Sequence, residues 1–520
     1  MEFESDTVYV ADCAKYDIYG SDTVKLTQPT YLSIYDKNFG SLDTAFYLNG
    51  LKNVVLDFNG ATLTLHGRLQ PFVIDNCENI TVKNVTVEYE RAVFTEFEIL
   101  DRTEDSLTLK PSEKFPCRIE NGCLIPYCNE WENTRLNYGD MFMQSFDNGT
   151  RQGRGITVIV IGDEVFRNDS PPCKVLQMRV REESGNIIMT GNISKDFQPG
   201  QTVVLTHEVR DKSSVFICRS ESVTVENYRI INGAGMGIIS MYAKDLVIDG
   251  LKLTKDEHSH GMVTNAADAM HLVANKGKIE IKNCLVEGMV DDALNIHTLY
   301  YEAESAEGNT LHAYRHPHSH SQNTYYQIFG VGDKIAVYKG QSLELRQTAI
   351  VTDINLINGQ YIDFITDPAL EDIQKGDLIE NLSTQPEVYI HDCTFGKANT
   401  HLRLQTRGDT LIENCETELP IWLTGDTDYW FEASPSENTV IRNCKFKGKH
   451  AQIRACPEYK PTEKAPYYHF GLKIENNIFD TKDALSLRLT KNIVFKNNKH
   501  SDGSKELHVH LDRCTDFFTE

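Results

Sequence analysis

A short phrase recurs along this chain, and its recurrence limits the possible folds more than any other feature. It opens with a polar pair, continues with alternating aliphatics, turns at Asn, Asp or Gly, and resumes with an aliphatic or aromatic residue. It reads Glu78-Asn-Ile-Thr-Val-Lys-Asn-Val-Thr-Val87, Glu221-Ser-Val-Thr-Val-Glu-Asn-Tyr-Arg-Ile230 and Lys244-Asp-Leu-Val-Ile-Asp-Gly-Leu-Lys-Leu253. It returns in Gly277-Lys-Ile-Glu-Ile-Lys-Asn-Cys-Leu-Val286, Pro386-Glu-Val-Tyr-Ile-His-Asp-Cys-Thr-Phe395 and Glu437-Asn-Thr-Val-Ile-Arg-Asn-Cys-Lys-Phe446. Shorter copies are Asp409–Cys415, Leu472–Phe479 and Lys491–Asn498. Period-two alternation makes each copy a half-buried strand. The central Asn, Asp or Gly suits a turn, because these residues tolerate left-handed backbone. From Asn227 to Gly250 is 23 residues, and from Asp392 to Asn414 is 22. Steps of about 20–35 residues are those of solenoid coils. Cys284, Cys393, Cys415 and Cys444 hold the same place in the phrase and are expected to stack in one buried column. The fold expected is all-β, a right-handed parallel β-helix; a set of ordinary antiparallel strands is the rival.

Two long stretches interrupt the repeat. Both carry alternating strands and turns, and stretches this long are unusual as structureless loops. They are read as two small antiparallel β-barrel-like domains inserted between coils. The division expected is N-terminal coils over 1–93, an inserted domain over 94–206, central coils over 207–298, a second insert over 299–384, and C-terminal coils over 385–520. The histidine run Arg315-His-Pro-His-Ser-His-Ser321 falls in the second insert and reads as a solvated loop rather than a metal site. Sequons such as Asn148-Gly-Thr150 are not read as glycosylated.

The net charge is −23 over 520 residues, which argues against a phosphate-binding surface and so against nucleic acid. A neutral sugar fits this balance. The 13 cysteines are odd in number and include no CxxC pair, as reduced buried thiols would be. The start has no basic and apolar leader, so a cytoplasmic location and a removed signal are both open. No apolar run is long enough to span a membrane.

Glycosidic hydrolysis by inversion needs an acid for the leaving oxygen and a base for an attacking water. The catalytic candidates are Asp268, Asp291 and Asp292, within Thr264-Asn-Ala-Ala-Asp-Ala-Met-His271 and Gly288-Met-Val-Asp-Asp-Ala-Leu-Asn-Ile-His297. Asp268 precedes Asp291 by 23 residues, one coil, which sets it below the pair on one outer face. Clustered carboxylates repel, and repulsion keeps one of them protonated near neutral pH. Adjacent residues of a regular strand point to opposite sides, so the backbone is expected to bend at Asp291–Asp292. Around them, His271, Asn295 and His297 are candidate sugar-binding groups. So are Asp426, Trp430 and Glu432 in Gly425-Asp-Thr-Asp-Tyr-Trp-Phe-Glu432, where an indole face can stack on a sugar. Asp426 and Asp428 lack the spaced ligand pattern of a calcium loop, so no metal and no cofactor is expected. Arg403 and Arg407 suit either sugar hydroxyls or structural ion pairs.

These stretches resemble glycoside hydrolase family 110, the α-1,3-galactosidases acting on blood-group-B-type glycans. The resemblance rests on Leu48–Asp57 leading to Leu65-His-Gly-Arg-Leu-Gln-Pro-Phe72, on Gly233-Ala-Gly-Met-Gly-Ile-Ile-Ser240, on the two aspartate stretches, and on Gly425–Glu432. It implies a β-helix with inserted β-domains, exo-acting and inverting removal of terminal galactose, and a catalytic trio falling on Asp268, Asp291 and Asp292. It also implies substrate contacts at His66 and Arg68. Asp291 is expected to be the general acid, with Asp268 and Asp292 positioning and deprotonating the water. This assignment leans on the polygalacturonases of family 28, whose match here is skeletal. Those enzymes need cationic groups for the uronate, and none is expected beside the pair. A glycosidase of other specificity (N-acetylgalactosaminidase or polygalacturonase-like) and a non-catalytic carbohydrate-binding β-helix are the competing readings. The expected partner is a glycan; dimerisation through the sheet edges is left open.

Overall fold

The computed structural model describes residues 2–26, 42–132, 141–146, 153–161, 176–193, 195–207, 212–254, 261–316, 328–358, 360–396 and 401–519. The sequon at Asn148 and residues 317–321 of the histidine run lie outside them. Among the described residues there is no α-helix, and no helix is long and apolar enough to cross a membrane.

Each repeated phrase forms a strand with a corner in it, and the strands stack in parallel. Glu221–Ile230 lies between Glu78–Tyr89 on one side and the pair Lys244–Asp249 and Lys252–Leu253 on the other, in register throughout. The pairing continues upward through Lys276–Lys282, Glu387–His391, Thr410–Glu413, Glu437–Arg442, His469–Glu475 and Thr490–Lys496. This is a parallel β-helix. The corner is made by the expected residue in every copy: Asn84, Asn227, Gly250, Asn283, Asp392, Asn414, Asn443, Asn476 and Asn497 all have φ near +50° to +70°. A second left-handed column, including Asn79, Ser222, Asp245, Gly277 and Asn438, bends the chain at the start of the phrase. Asn side chains also cross between coils, as from Asn227 Nδ2 to Asn84 Oδ1 at 3.1 Å and from Asn283 Nδ2 to Asp249 Oδ1 at 2.8 Å.

The thiol column forms just past that corner. Cys284, Cys393, Cys415 and Cys444 are buried, and each Sγ lies 3.2–3.3 Å from the carbonyl two residues before it. Each also faces the carbonyl of an isoleucine in the coil below, at 3.7–3.9 Å. The twelve described cysteines are all free thiols.

A second face of each coil carries short strands of apolar–outward–apolar pattern, paired in parallel. They are Gln70–Asp75, Val215–Cys218, Ile238–Met241, Met270–Val273, the start of Leu294–Glu307, Leu402–Leu404, Ile421–Leu423, Ile453–Ala455 and Asp483–Arg488. Their apolar members, such as Leu272, Leu294, Ile296, Leu402, Leu404 and Ile421, fill the interior with the repeated phrase.

Two sets of strands depart from the coils. Phe94–Arg102, Ser106–Lys110, Met141–Phe146, Gly153–Ile161, Leu176–Glu183, Asn186–Gly191 and Thr202–Thr206 close on one another, mostly antiparallel, around Phe97, Leu109, Met189 and Leu205. The strand Leu294–Glu307 begins as a coil strand and then runs on to pair antiparallel with Thr310–Tyr314 and Leu378–Asn381. Strands Lys334–Lys339, Glu344–Leu356 and Tyr361–Asp367 complete that second antiparallel set.

Candidate functional site

Coil stacking aligns the aspartates, but with a register one residue away from the expected one. Asn265 pairs with Met289, His271 pairs with Asn295, and Ala269 N–H bonds to Asp292 O at 2.9 Å. Asp268 therefore stacks against Asp292 rather than Asp291, because this coil holds 24 residues. The expected bend is present: Asp291 and Asp292 lie in irregular backbone before Leu294–Glu307 begins. Asp292 N–H returns to Asp291 Oδ1 at 3.1 Å. Asp268 and Asp292 are buried, and Asp291 is half-buried.

The loop carrying Asp268 is held from three directions. Asn265 Nδ2 donates to Ala267 O at 3.2 Å and Asp268 O at 2.7 Å. Glu96, from the first antiparallel set, accepts N–H from Met262 at 2.6 Å and Val263 at 3.0 Å. Below lies Gly233-Ala-Gly-Met-Gly237. A Cβ on Gly233 would come within 1.8 Å of Asn265 Oδ1, and one on Gly237 within 2.4 Å of Ala269 O. These glycines thus allow the aspartate loop to lie flat on the coil beneath.

Outward positions of the second face line up into a column: His271, Asn295, Arg403, Trp422. Arg403 Nε lies 2.9 Å from Asp292 Oδ2, an ion pair in which the N–H is not aimed along the contact. Its NH1 donates to Glu432 Oε2 at 3.2 Å, and its guanidinium sits 4.9 Å from the Trp422 ring centre. Burial works against the Arg403 charge, but the Asp292 and Glu432 carboxylates outweigh it and hold the guanidinium ionised more firmly than usual. The expectation that no cation flanks the pair is overturned. The second antiparallel strand set hid it, since 108 residues separate Asn295 from Arg403 in the chain and one strand step separates them in space.

Glu432 reaches the site because Glu432–Ala433 pairs antiparallel with Thr298 and Leu299, where that strand leaves the coil. Its carboxylate accepts from Asn295 Nδ2, Gln405 Nε2 and Arg403, each at 3.2 Å, and lies 3.9 Å from His297 Nε2. Burial alone would raise its pKa, yet His297, Arg403, His271 and Asn295 bring it down to about 2. His297 is fully buried, and burial lowers it to about 4. His271 Nδ1 lies 2.5 Å from Asp268 Oδ2, and its Nε2 lies 3.0 Å from His297 Nε2.

The structure thus brings together Asp268, Asp291, Asp292, His271, Asn295, His297, Arg403 and Glu432. His66 and Arg68 are placed elsewhere. They follow into Gln70–Asp75, three strand steps below Met270–Val273, or about 14 Å at ~4.8 Å per step. His66 there meets Asp17 at 2.9 Å and stacks on Tyr19. Asp426 is buried, and its carboxylate accepts N–H from Asp428, Tyr429 and Trp430 at 2.8, 2.9 and 2.6 Å, so it shapes the turn that presents Trp430. Trp430 is half-buried with its ring edge-on to Tyr429. Arg407 is a structural ion pair, bonded to Glu380 and Glu437. Carboxylate oxygens of Asp426, Asp428 and Glu458 gather within 4.8 Å, as do ligand atoms of Glu90, Cys128 and Glu130; these are the described groups with the geometry to hold a cation.

Trp422, His401, Gln405 and Glu96 are absent from the sequence reading. His401 N–H points to Asp292 Oδ1 at 3.3 Å, and its ring packs on Trp422 at 4.3 Å. The signal for Trp422 was present: Met270-His-Leu, Leu294-Asn-Ile, Leu402-Arg-Leu and Ile421-Trp-Leu share one apolar–outward–apolar phrase.

No protein-family model matches this sequence. The resemblance to the α-1,3-galactosidases nevertheless extends along most of the chain. It is 26% identical over 477 residues to "Alpha-1,3-galactosidase A" of Bacteroides fragilis, covering 87% of this chain and 74% of that protein. It is 24% identical to "Alpha-1,3-galactosidase B" of Bacteroides thetaiotaomicron with the same coverage. It is 26% identical to "Alpha-1,3-galactosidase B" of Akkermansia muciniphila, covering 87% of this chain and 57% of that one. Among solved structures, the family 28 exopolygalacturonase of Yersinia enterocolitica aligns over 96% of this chain and 78% of its own, at 9% identity and a TM-score of 0.34.

Proposed function

We propose that this protein is an exo-acting, inverting glycoside hydrolase that removes terminal α-1,3-linked galactose from glycans. One observation carries the reading. Three aspartates of two adjacent coils are stacked beside the outward column, in a chain similar over most of its length to proteins named α-1,3-galactosidases. Asp292, paired with Arg403, is the base that accepts a proton from water. Asp268, against His271, orients that water from the coil below. Asp291 is the least buried member of the trio and the one open to a leaving group, so it acts as the acid toward the leaving oxygen. Arg403 and Trp422 offer a cation and an aromatic face beside the acids. The two antiparallel strand sets, at 94–206 and 299–384, are read as the inserted domains.

The cation raises a polygalacturonase-like alternative, since a uronate needs one. Arg403 already faces two carboxylates, Asp292 and Glu432, which leaves its charge spent internally and favours a neutral sugar. Hydrolysis of para-nitrophenyl α-galactoside, of a galactose-α-1,3-galactose disaccharide and of an oligogalacturonide separates the two. The reading expects activity on the first two and none on the third. Cleavage of the oligogalacturonide alone would replace it.

A further inference from the structure

A line of three buried groups starts at Asp268 and ends at a backbone carbonyl. His297 Nδ1 lies 2.6 Å from Thr298 O, and His297 Nε2 lies 3.0 Å from His271 Nε2. His271 Nδ1 lies 2.5 Å from Asp268 Oδ2. A carbonyl only accepts, so His297 Nδ1 carries a hydrogen. Two bare ring nitrogens repel at 3.0 Å, so one hydrogen fills the gap between the two imidazoles. A bare Nδ1 and a carboxylate oxygen repel at 2.5 Å, so a third hydrogen fills that gap. Three contacts therefore hold three hydrogens, one more than two neutral histidines and an ionised aspartate would carry.

The surroundings decide where the extra charge resides. His297 is fully buried, and burial keeps it neutral at neutral pH. His271 is met by Ile239 from the coil below, by Asn295 and His297 from the coil above, and by Asp268 from its own loop. The charges nearby are Asp292 and Glu432 on the negative side and Arg403 on the positive, with Asp291 as the acid that carries a proton. Carboxylates outnumber cations, which favours a cation on His271 over a proton on Asp268.

We propose that His271 is a positioning residue that stays doubly protonated at neutral pH, anchored by His297, and thereby holds Asp268 ionised and oriented toward the water. The catalytic half of this inference rests on the glycosidase reading above; the protonation half does not. Because the line ends on the Thr298 carbonyl, it has no exit for the proton at that end and holds it in place. Loss of the proton at alkaline pH would set a lone pair against the Asp268 carboxylate and turn it away from the water.

The test uses the full chain labelled with isotopic nitrogen in histidine, with His271→Gln and His297→Gln to assign the ring signals. At a pH of about 7.5, where an ordinary imidazole of pKa about 6.5 is neutral, His271 is expected to show two protonated ring nitrogens and His297 one. A single protonated nitrogen on His271 at that pH would overturn the proposal, whether or not the protein cleaves galactosides. Asp268→Asn is expected to return His271 to one protonated nitrogen, and it supplies the comparison if His271→Gln does not fold. In the pH profile of kcat/KM, His271→Gln is expected to lower the plateau and to leave only the alkaline limb set by the Asp291 acid, at a different pH from the wild type. A profile unchanged in height and in limb position would refute the positioning role.

Discussion

Replacing Glu432 by Gln tests the way this site is held together. The wild-type carboxylate is buried and accepts from Asn295, Gln405 and Arg403. A glutamine keeps the volume but removes the charge that faces Arg403. The pKa falls from an ordinary 4.5 to about 2, which corresponds to about 3 kcal/mol at about 1.4 kcal/mol per tenfold change in proton affinity. Because the folded pKa is depressed, this stability is fully present above pH 4.5 and is lost as pH falls through about 2. Equilibrium urea unfolding, followed by circular dichroism, reads it as a shift in midpoint at constant slope. The variant is expected to be less stable by about 3 kcal/mol, with the same deficit at every pH from about 5 to about 8. A variant as stable as the wild type would refute the account of Glu432 as the hub. So would a deficit that changes between about pH 8 and about pH 6, since Glu432 does not titrate there.

Three further outcomes follow from the geometry. Arg403→Lys keeps a charge but cannot span Asp292 and Glu432 while facing Trp422, so kcat/KM is expected to fall by about a hundredfold, as befits about 3 kcal/mol; steady-state kinetics showing less than about a threefold loss would contradict it. His469 is buried and brought down to about 3 from an ordinary 6.5 by burial, so the unfolded chain takes up a proton below pH 6.5 that the folded chain refuses. Stability should fall by about 1.4 kcal/mol per pH unit on this account as pH drops below about 6.5, and His469→Asn, which keeps an acceptor for Ser436 N–H, should flatten that slope by that amount. A thiol reagent should label the exposed Cys13 in the native protein and reach Cys284, Cys393, Cys415 and Cys444 only on unfolding; rapid native labelling of the column would contradict the buried ladder.

The coil architecture was legible because its cause is local. A left-handed corner needs Asn, Asp or Gly, and a thiol column needs a small apolar residue at one place per coil, so both leave marks in the sequence. The second left-handed column, at Asn79, Ser222 and Asp245, went unread because Ser and polar neighbours there look like an ordinary strand start. The stack of Asp268 on Asp292 was misplaced by one residue because coil length is set by loops and is not constant. His271 to Asn295 is 24 residues, Arg403 to Trp422 is 19, and Trp422 to Arg454 is 32. Arg403 as the partner of Asp292, with His401, Trp422 and Gln405, depended on knowing which strand resumes the coil after the second antiparallel set. Glu432 was read as a sugar ligand from its acidic, aromatic surroundings; its pairing with Leu299 turns it inward against other side chains instead. His66 and Arg68 entered on a motif alone, and a motif fixes neither the coil nor the face on which it lands.

The most direct measurement is the anomer released from galactose-α-1,3-galactose, followed by NMR for the wild type and for Asp291→Asn. The account predicts β-galactose as the first product, with release abolished by the substitution while the fold, read by circular dichroism, is kept. First release of α-galactose, or undiminished release by Asp291→Asn, would contradict it.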